Sequence, residues 1–394
     1  MSAPTGLPTH DRSLALDWLR GLAMVLMTLD HVDAATNPNH AQGDSALFAA
    51  AAPLSPPDFL TRWATHLCAP TFLLLAGAGI ALSGARAAAR GESTAAFDRH
   101  LVRRGLVLIA LELTLVSMYW RAAERFPSAT PGLPVFVQVL FALGGGFIAL
   151  AWLRHLSARA QLALAAAVLV GAEFARLATL DGGLRGPFAV QLLATGGLWS
   201  WTPGDDPWAF DAMVLYPLLP WLPVLLLGHA LGQSFAARGL RPRHLALLGL
   251  ASLAGFALLR GFDGFGNMGL HRRTPELLEW LHCSKYPPSA SFLAMELGLV
   301  ALLLAALAAA ERGLARLPRL DPVLVLGQVP LFFYLLHLPM IGALMALGLL
   351  PPHGGGSAGG SWLRALLVVA CCWPLCALYR RYKQRQRGGW TRYL

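Results

Sequence analysis

The chain has 394 residues, 56% of them hydrophobic and 13% charged, with a formal net charge of +10. A water-exposed protein of this length carries about a quarter charged residues, so the composition excludes a soluble globular enzyme and reads as an integral membrane protein. In such a chain the positive balance is first a question of sidedness, and only then of nucleic-acid affinity.

Ten stretches reach the ~20 mostly apolar residues that a membrane helix needs, near 14–34, 58–82, 101–120, 134–153, 160–179, 211–234, 243–261, 288–310, 322–349 and 361–380. The expected fold is an all-α polytopic membrane helix bundle forming one domain over 1–394, with 1–13 and 381–394 as cytoplasmic tails. In the first stretch Asp17 and Arg20 precede an apolar core that runs straight into Asp30-His31 without a small-residue cleavage site, so it stays as a helix. Asp30 and His31 are neighbours and point ~100° apart on that helix. The second stretch contains Thr65-His66-Leu67-Cys68-Ala69-Pro70, where Pro70 opens the backbone and exposes carbonyls able to orient an imidazole.

Glu112 lies in the third stretch, Gly144-Gly145-Gly146 in the fourth, Glu173 with Arg176 at pairing distance in the fifth, and Gly228/Gly232 in the sixth. The glycines read chiefly as close helix packing. Ser284-Lys285-Tyr286-Pro287-Pro288-Ser289 leads into the eighth stretch as a rigid helix entry. Lys285 there either holds a phosphate or carboxylate or extends to the membrane interface. Glu296 follows in the same stretch, and the ninth carries Tyr334 and His337 between Pro330 and Pro339.

The basic residues sort by side. Of 31, 21 fall on the N-terminal tail, the alternate loops and the C-terminal tail, which makes both termini cytoplasmic. They are read as topology determinants and contacts to the lipid bilayer, with no nucleic-acid partner. The opposite face holds the long loops 35–57, 121–133, 180–210 and 262–287, where a site is expected. Asp30, His31, His66, Glu112, Glu296 and His337 all fall in the outer half of their spans. Ionisable groups there are costly, so each is a site candidate, and histidine is the best-suited base because it titrates near neutrality. The five Cys, at 68, 283, 371, 372 and 376, have no CxxC or Cys/His metal spacing, so neither a disulfide framework nor a metal site is indicated.

Leu16-Asp17-Trp18-Leu19-Arg20-Gly21 with Leu29-Asp30-His31, Thr65–Phe72, Tyr216-Pro217-Leu218-Leu219-Pro220-Trp221, Lys285–Ser289, Val329–His337 and Gly389–Leu394 together resemble bacterial membrane proteins related to the catalytic domain of heparan-α-glucosaminide N-acetyltransferase. The resemblance implies a multi-pass acyltransferase of the bacterial inner membrane. Its donor substrate is acetyl-CoA, and its acceptor is an amine or hydroxyl of a saccharide or glycolipid on the periplasmic side. The lysosomal branch has a catalytic histidine between its first two spans; the corresponding stretch here, 34–58, offers His40. Asp30 stands where that branch has an amide, and His66 where it has an acid.

The expected machinery is therefore His31 or His66 as general base with Asp30 as orienting group, and Lys285, Tyr286, Tyr334, His337, Glu296 and Glu112 lining the substrate or cofactor site. The rival expectation is a transporter or accessory protein using the same polar shelf for an anionic or lipid-linked solute.

Overall fold

The computed structural model describes residues 13–40, 55–122, 135–178, 187–201 and 210–386. The Gly389–Leu394 segment, most of the loops 35–57 and 121–133, and residues 180–186 and 202–209 of the loop 180–210 lie outside the described residues.

Helix α1 (Leu14–Thr36) is followed by α2 (Pro56–Thr65), α3 (Cys68–Ala89) and α4 (Thr94–Leu111). A π-helical turn (Glu112–Val116) joins α4 to α5 (Ser117–Ala122). Then come β1 (Val135–Val137), α6 (Val139–Leu153), α7 (Ala158–Ala178), the single turn α8 (Phe188–Val190), a second π turn (Gln191–Thr195), β2 (Gly197–Trp201) and β3 (Phe210–Val214). The rest is helical: α9 (Leu218–Arg238), α10 (Pro242–Phe262), α11 (Leu277–Leu281), α12 (Ala290–Ala309), α13 (Glu311–Leu314), α14 (Pro322–Gln328), α15 (Pro330–Ala346) and α16 (Ala358–Arg385).

The protein is a nearly all-α, multi-pass membrane bundle. Among the described residues, six helices are long and apolar enough to cross a bilayer, or seven if α14 and α15 count as one bent span. The reading of ten stretches differs in three further places. Over its 23 residues α1 is long enough but carries Asp17, Arg20, Asp30 and Asp33. The 18-residue α4 carries Asp98, Arg99, Arg103 and Arg104, and α6 is apolar but only 15 residues long.

Several boundaries shift for identifiable reasons. The stretches starting at 134 and 211 begin as strands, not helix: β1 pairs parallel with β3, which pairs antiparallel with β2. Val135-Phe136-Val137 is β-branched and aromatic, and the sheet partner comes from far along the chain, out of reach of any local pattern. The stretch 58–82 is broken at His66-Leu67. Pro70 has no N–H to donate, and its ring crowds the carbonyl four residues back, that of His66. The stretch 322–349 is bent by 110° between α14 and α15, at Pro330, for the same reason. At the other end, α16 continues to Arg385 and takes in the first residues of the expected tail.

Close backbone approach fixes the bundle. A Cβ added at Gly77 of α3 would lie 2.2 Å from the Leu225 carbonyl oxygen of α9, and one at Gly228 would lie 2.1 Å from that of Leu74. Gly144 and Gly105 meet in the same way between α6 and α4, so the glycine run in α6 is a packing surface. Helix α14 runs against the first turns of α1, where Gly327 faces the Asp17 carbonyl and Gly21 that of Val323. Glu311 reaches the start of α1, accepting from the Leu14 N–H at 3.0 Å and from the Ser13 hydroxyl at 3.1 Å. The bundle therefore has a basic end, marked by Leu14 and Arg385, and a loop end holding the sheet and the 262–287 segment.

Candidate active site

Asp30 and His31 diverge as the helix geometry requires, and each takes its own set of partners. His31 faces α15. Its Nδ1 lies 2.6 Å from Nε2 of His337, whose own Nδ1 is 3.3 Å from the Phe333 carbonyl. A carbonyl only accepts, so His337 carries its proton on Nδ1 and presents a lone pair at Nε2. His31 must then donate from Nδ1, which leaves the lone pair of its own Nε2 available. His337 is fully buried and stacks on Phe333 at 5.6 Å, while Trp120 of α5 packs edge-on to His31 at 5.4 Å.

Tyr334 lies one turn below His337, its ring 5.7 Å from the imidazole. Its hydroxyl is buried and makes no hydrogen bond among the described residues. Glu112, at the head of the first π turn, accepts from the Leu140 N–H at 2.7 Å through Oε2, and its Oε1 is likewise buried without a hydrogen-bond partner. A π turn places side chains off the α-helical register and often marks a functional position. Ser117 ties this turn to the sheet, donating to the Glu112 carbonyl at 2.9 Å and accepting from the Phe136 N–H at 3.1 Å.

Asp30 turns the other way, onto the α2 side. It pairs with Arg62 and accepts from the Thr65 hydroxyl at 2.7 Å. Arg62 also donates to the Tyr286 hydroxyl at 3.2 Å and lies over the Tyr286 ring, as does Lys285 at 5.2 Å. Lys285 is 2% exposed and therefore does not extend to an interface. The entry into α12 is rigid: the Ser289 hydroxyl caps the helix by accepting from the Phe292 N–H at 3.1 Å. Glu296, two turns in from that cap, is buried with neither carboxylate oxygen hydrogen-bonded among the described residues. His66 sits in the α2–α3 break, packed against Phe292 at 5.6 Å.

His40 is engaged elsewhere: its Nδ1 is 2.8 Å from Asp33, which also binds Asn37 and Ser361 and so ties α1 to α16. Arg62 is the residue that sequence reasoning missed, although a charged residue one turn before His66 in an apolar stretch was the available signal. Glu173, expected to pair with Arg176, accepts from the Met268 N–H at 2.7 Å and so anchors the 262–287 segment.

Two cavities lie toward opposite ends of this part of the bundle. The basic-end cavity, about 290 Å³, runs between α1, α3, α4, α6 and α15, with Arg20, Arg104 and Lys383 among its lining and Tyr334 also on its wall. Arg104 lies over the Phe147 ring at 5.2 Å, and its buried Nε has no hydrogen-bond partner among the described residues. The loop-end vestibule, about 340 Å³, is lined by His31, Trp120, Tyr119, Ile341, Met345 and His353 and their neighbours. His31 thus lines the loop-end vestibule, and Tyr334, one turn from His337, lines the basic-end cavity.

This arrangement defines a polytopic helical membrane protein with a buried histidine pair, one member of which opens onto the loop-end vestibule. Residues 12–259 match the family described as heparan-alpha-glucosaminide N-acetyltransferase, catalytic, and the chain belongs to that family of membrane acetyltransferase type. The matched stretch contains His31, Asp30, Arg62, His66 and Glu112; Lys285, Glu296, Tyr334 and His337 lie beyond it. No curated protein matches the chain.

Proposed function

We propose that the protein transfers an acetyl group from acetyl-CoA to an amine or hydroxyl of a saccharide, across the bacterial inner membrane, with the basic end in the cytoplasm and the vestibule facing the periplasm. The observation carrying this reading is the His31–His337 pair, a relayed imidazole on the loop-end vestibule with Tyr334, one turn away, on the wall of a second, cationic cavity. The family membership and the distribution of basic residues support the donor and the sidedness.

The basic-end cavity suits coenzyme A. Arg20, Arg104 and Lys383 offer cations for its phosphates, and the apolar wall takes the pantetheine arm. Arg20 and His31 are eleven residues apart on α1, about 16 Å along the axis, a span that an extended pantetheine arm covers. In the reaction the acceptor lone pair attacks the thioester carbonyl carbon while His31 Nε2 takes the acceptor proton. His337 accepts the Nδ1–H bond and steadies the imidazolium as it forms. The Tyr334 hydroxyl, unengaged among the described residues, donates to the developing oxyanion. The C–S bond then breaks, and the thiolate leaves with the proton returned from His31.

His66, packed in the helix break, and Asp30, engaged with Arg62 and Thr65, act on this reading as structural supports of α2 and the Tyr286 entry. The test is purified protein in vesicles with radiolabelled acetyl-CoA and a mixed glycan pool. Labelled covalent product is the expected result; solute accumulation without covalent product would favour transport and overturn the proposal.

A further inference from the structure

The loop-end vestibule is poorly suited to a free sugar. Its lining is mainly apolar, with Leu338, Pro339, Ile341 and Met345 of α15 and Ala35 of α1, and its polar groups are confined to His31, Tyr119, Trp120 and His353. A water-soluble saccharide would bury several hydroxyls against these walls and leave them unpaired, which is unfavourable. The vestibule also has an open flank. Gly342 is exposed, with no atom of the described residues within 4 Å of where a side chain would begin. Close by in sequence to the lining, Leu347 of the α15 end is 72% exposed and Met118 of α5 is 54% exposed. In a membrane-spanning bundle such surfaces meet acyl chains.

We propose that the acceptor is membrane-resident: a lipid-linked amino sugar or comparable amphiphile that enters sideways past Gly342, lays its hydrocarbon along Leu338, Ile341 and Met345, and presents its amine or hydroxyl to His31. This rests on the acyl-transfer reading and narrows its substrate to one class. The bonds made and broken are those already given, with the acceptor's proton passing through His31 to the leaving thiolate.

The probes are dodecyl glucosaminide and methyl glucosaminide, compared in vesicles of phosphatidylethanolamine and phosphatidylglycerol with labelled acetyl-CoA. Transfer to the dodecyl compound should exceed that to the methyl compound. Partition into the bilayer alone favours the long chain, so the deciding variant is Gly342→Phe, whose Cβ would meet no atom of the described residues within 4 Å and whose ring would occupy the flank. Each methylene denied its apolar seat costs about fourfold, so Gly342→Phe should cut dodecyl transfer more than tenfold and shrink the dodecyl-to-methyl ratio. An unchanged ratio, or equal use of both compounds by the wild type, overturns the inference while leaving acyl transfer standing.

A binding measurement covers the case in which no transfer occurs. A photoreactive dodecyl glucosaminide, without acetyl-CoA, should label 338–345 and be displaced by dodecyl but not methyl glucosaminide. Labelling elsewhere, or equal displacement by both, refutes the lateral site. Specific labelling without any acetyl transfer refutes the enzymatic reading alone.

Discussion

Replacing His337 by Phe isolates the relay. The side chain is fully buried between Phe333 and Tyr334, and an aromatic ring of similar size keeps that packing. What is lost is the acceptor 2.6 Å from His31 Nδ1. His31 then has two choices, both costly. It can keep its proton on Nδ1 as a buried, unpaired donor, or move it to Nε2 and surrender the lone pair that serves as base. The first costs about 1–3 kcal/mol, equivalent to about 5- to 150-fold in rate, and the second removes the base from the vestibule. The assay is single-turnover acetyl transfer in vesicles, with yield and thermal unfolding as controls for insertion. His337→Gln, which restores an acceptor oxygen near Nε2, should recover most of the loss. Wild-type turnover in His337→Phe, or no difference between Phe and Gln, would refute the tautomer argument.

Tyr334→Phe should lower turnover about 10²-fold, the usual effect of removing one oxyanion donor. Because the deleted hydroxyl is buried and unpaired, thermal stability should be unchanged or raised; a large loss of stability would mean that the hydroxyl serves the fold. Arg260 is fully buried beneath the 262–287 segment, donating to the carbonyls of Leu270, Trp280, Glu279 and His282 and to Asp263 and Asn267. Arg260→Met should destabilise the protein by about 3–5 kcal/mol, seen as a lowered Tm that Lys at this position does not rescue. Glu279 in the same segment supplies a pH test. Burial alone would raise its carboxyl, but the Arg273 side chain and backbone N–H outweigh burial and hold it below the ordinary value. Its contribution is therefore complete above the unfolded value of about 4.3 and disappears as pH falls through the lower folded value. The Tm gap between wild type and Glu279→Gln should be constant near neutrality and close in acid; a gap that widens in acid would show the sign to be wrong.

The helical, membrane-spanning character was legible in composition and apolar run length, and so was the divergence of Asp30 from His31, which follows from 100° per residue. Pro70 marked the break at His66, whereas 322–349 read as one span; its 110° bend before α15 depends on how α14 packs on α1. The strands were not legible: β1 finds its partner β3 some seventy-five residues on, and a three-residue apolar run carries no periodicity. The pairing of His31 with His337 joins residues 306 apart, so sequence could nominate each histidine but not bring them together. Arg62 was hidden for a related reason. Its role rests on Asp30, Tyr286 and the α2–α3 break meeting in space.

The central claim is that His31, relayed by His337 and facing the loop-end vestibule, is the base of an acetyl transfer. Its most direct test is His31→Ala in vesicles with labelled acetyl-CoA and acceptor, with insertion verified. The account predicts a fall of about 10²–10⁴-fold in labelled product, and full activity in the normally inserted variant would contradict it.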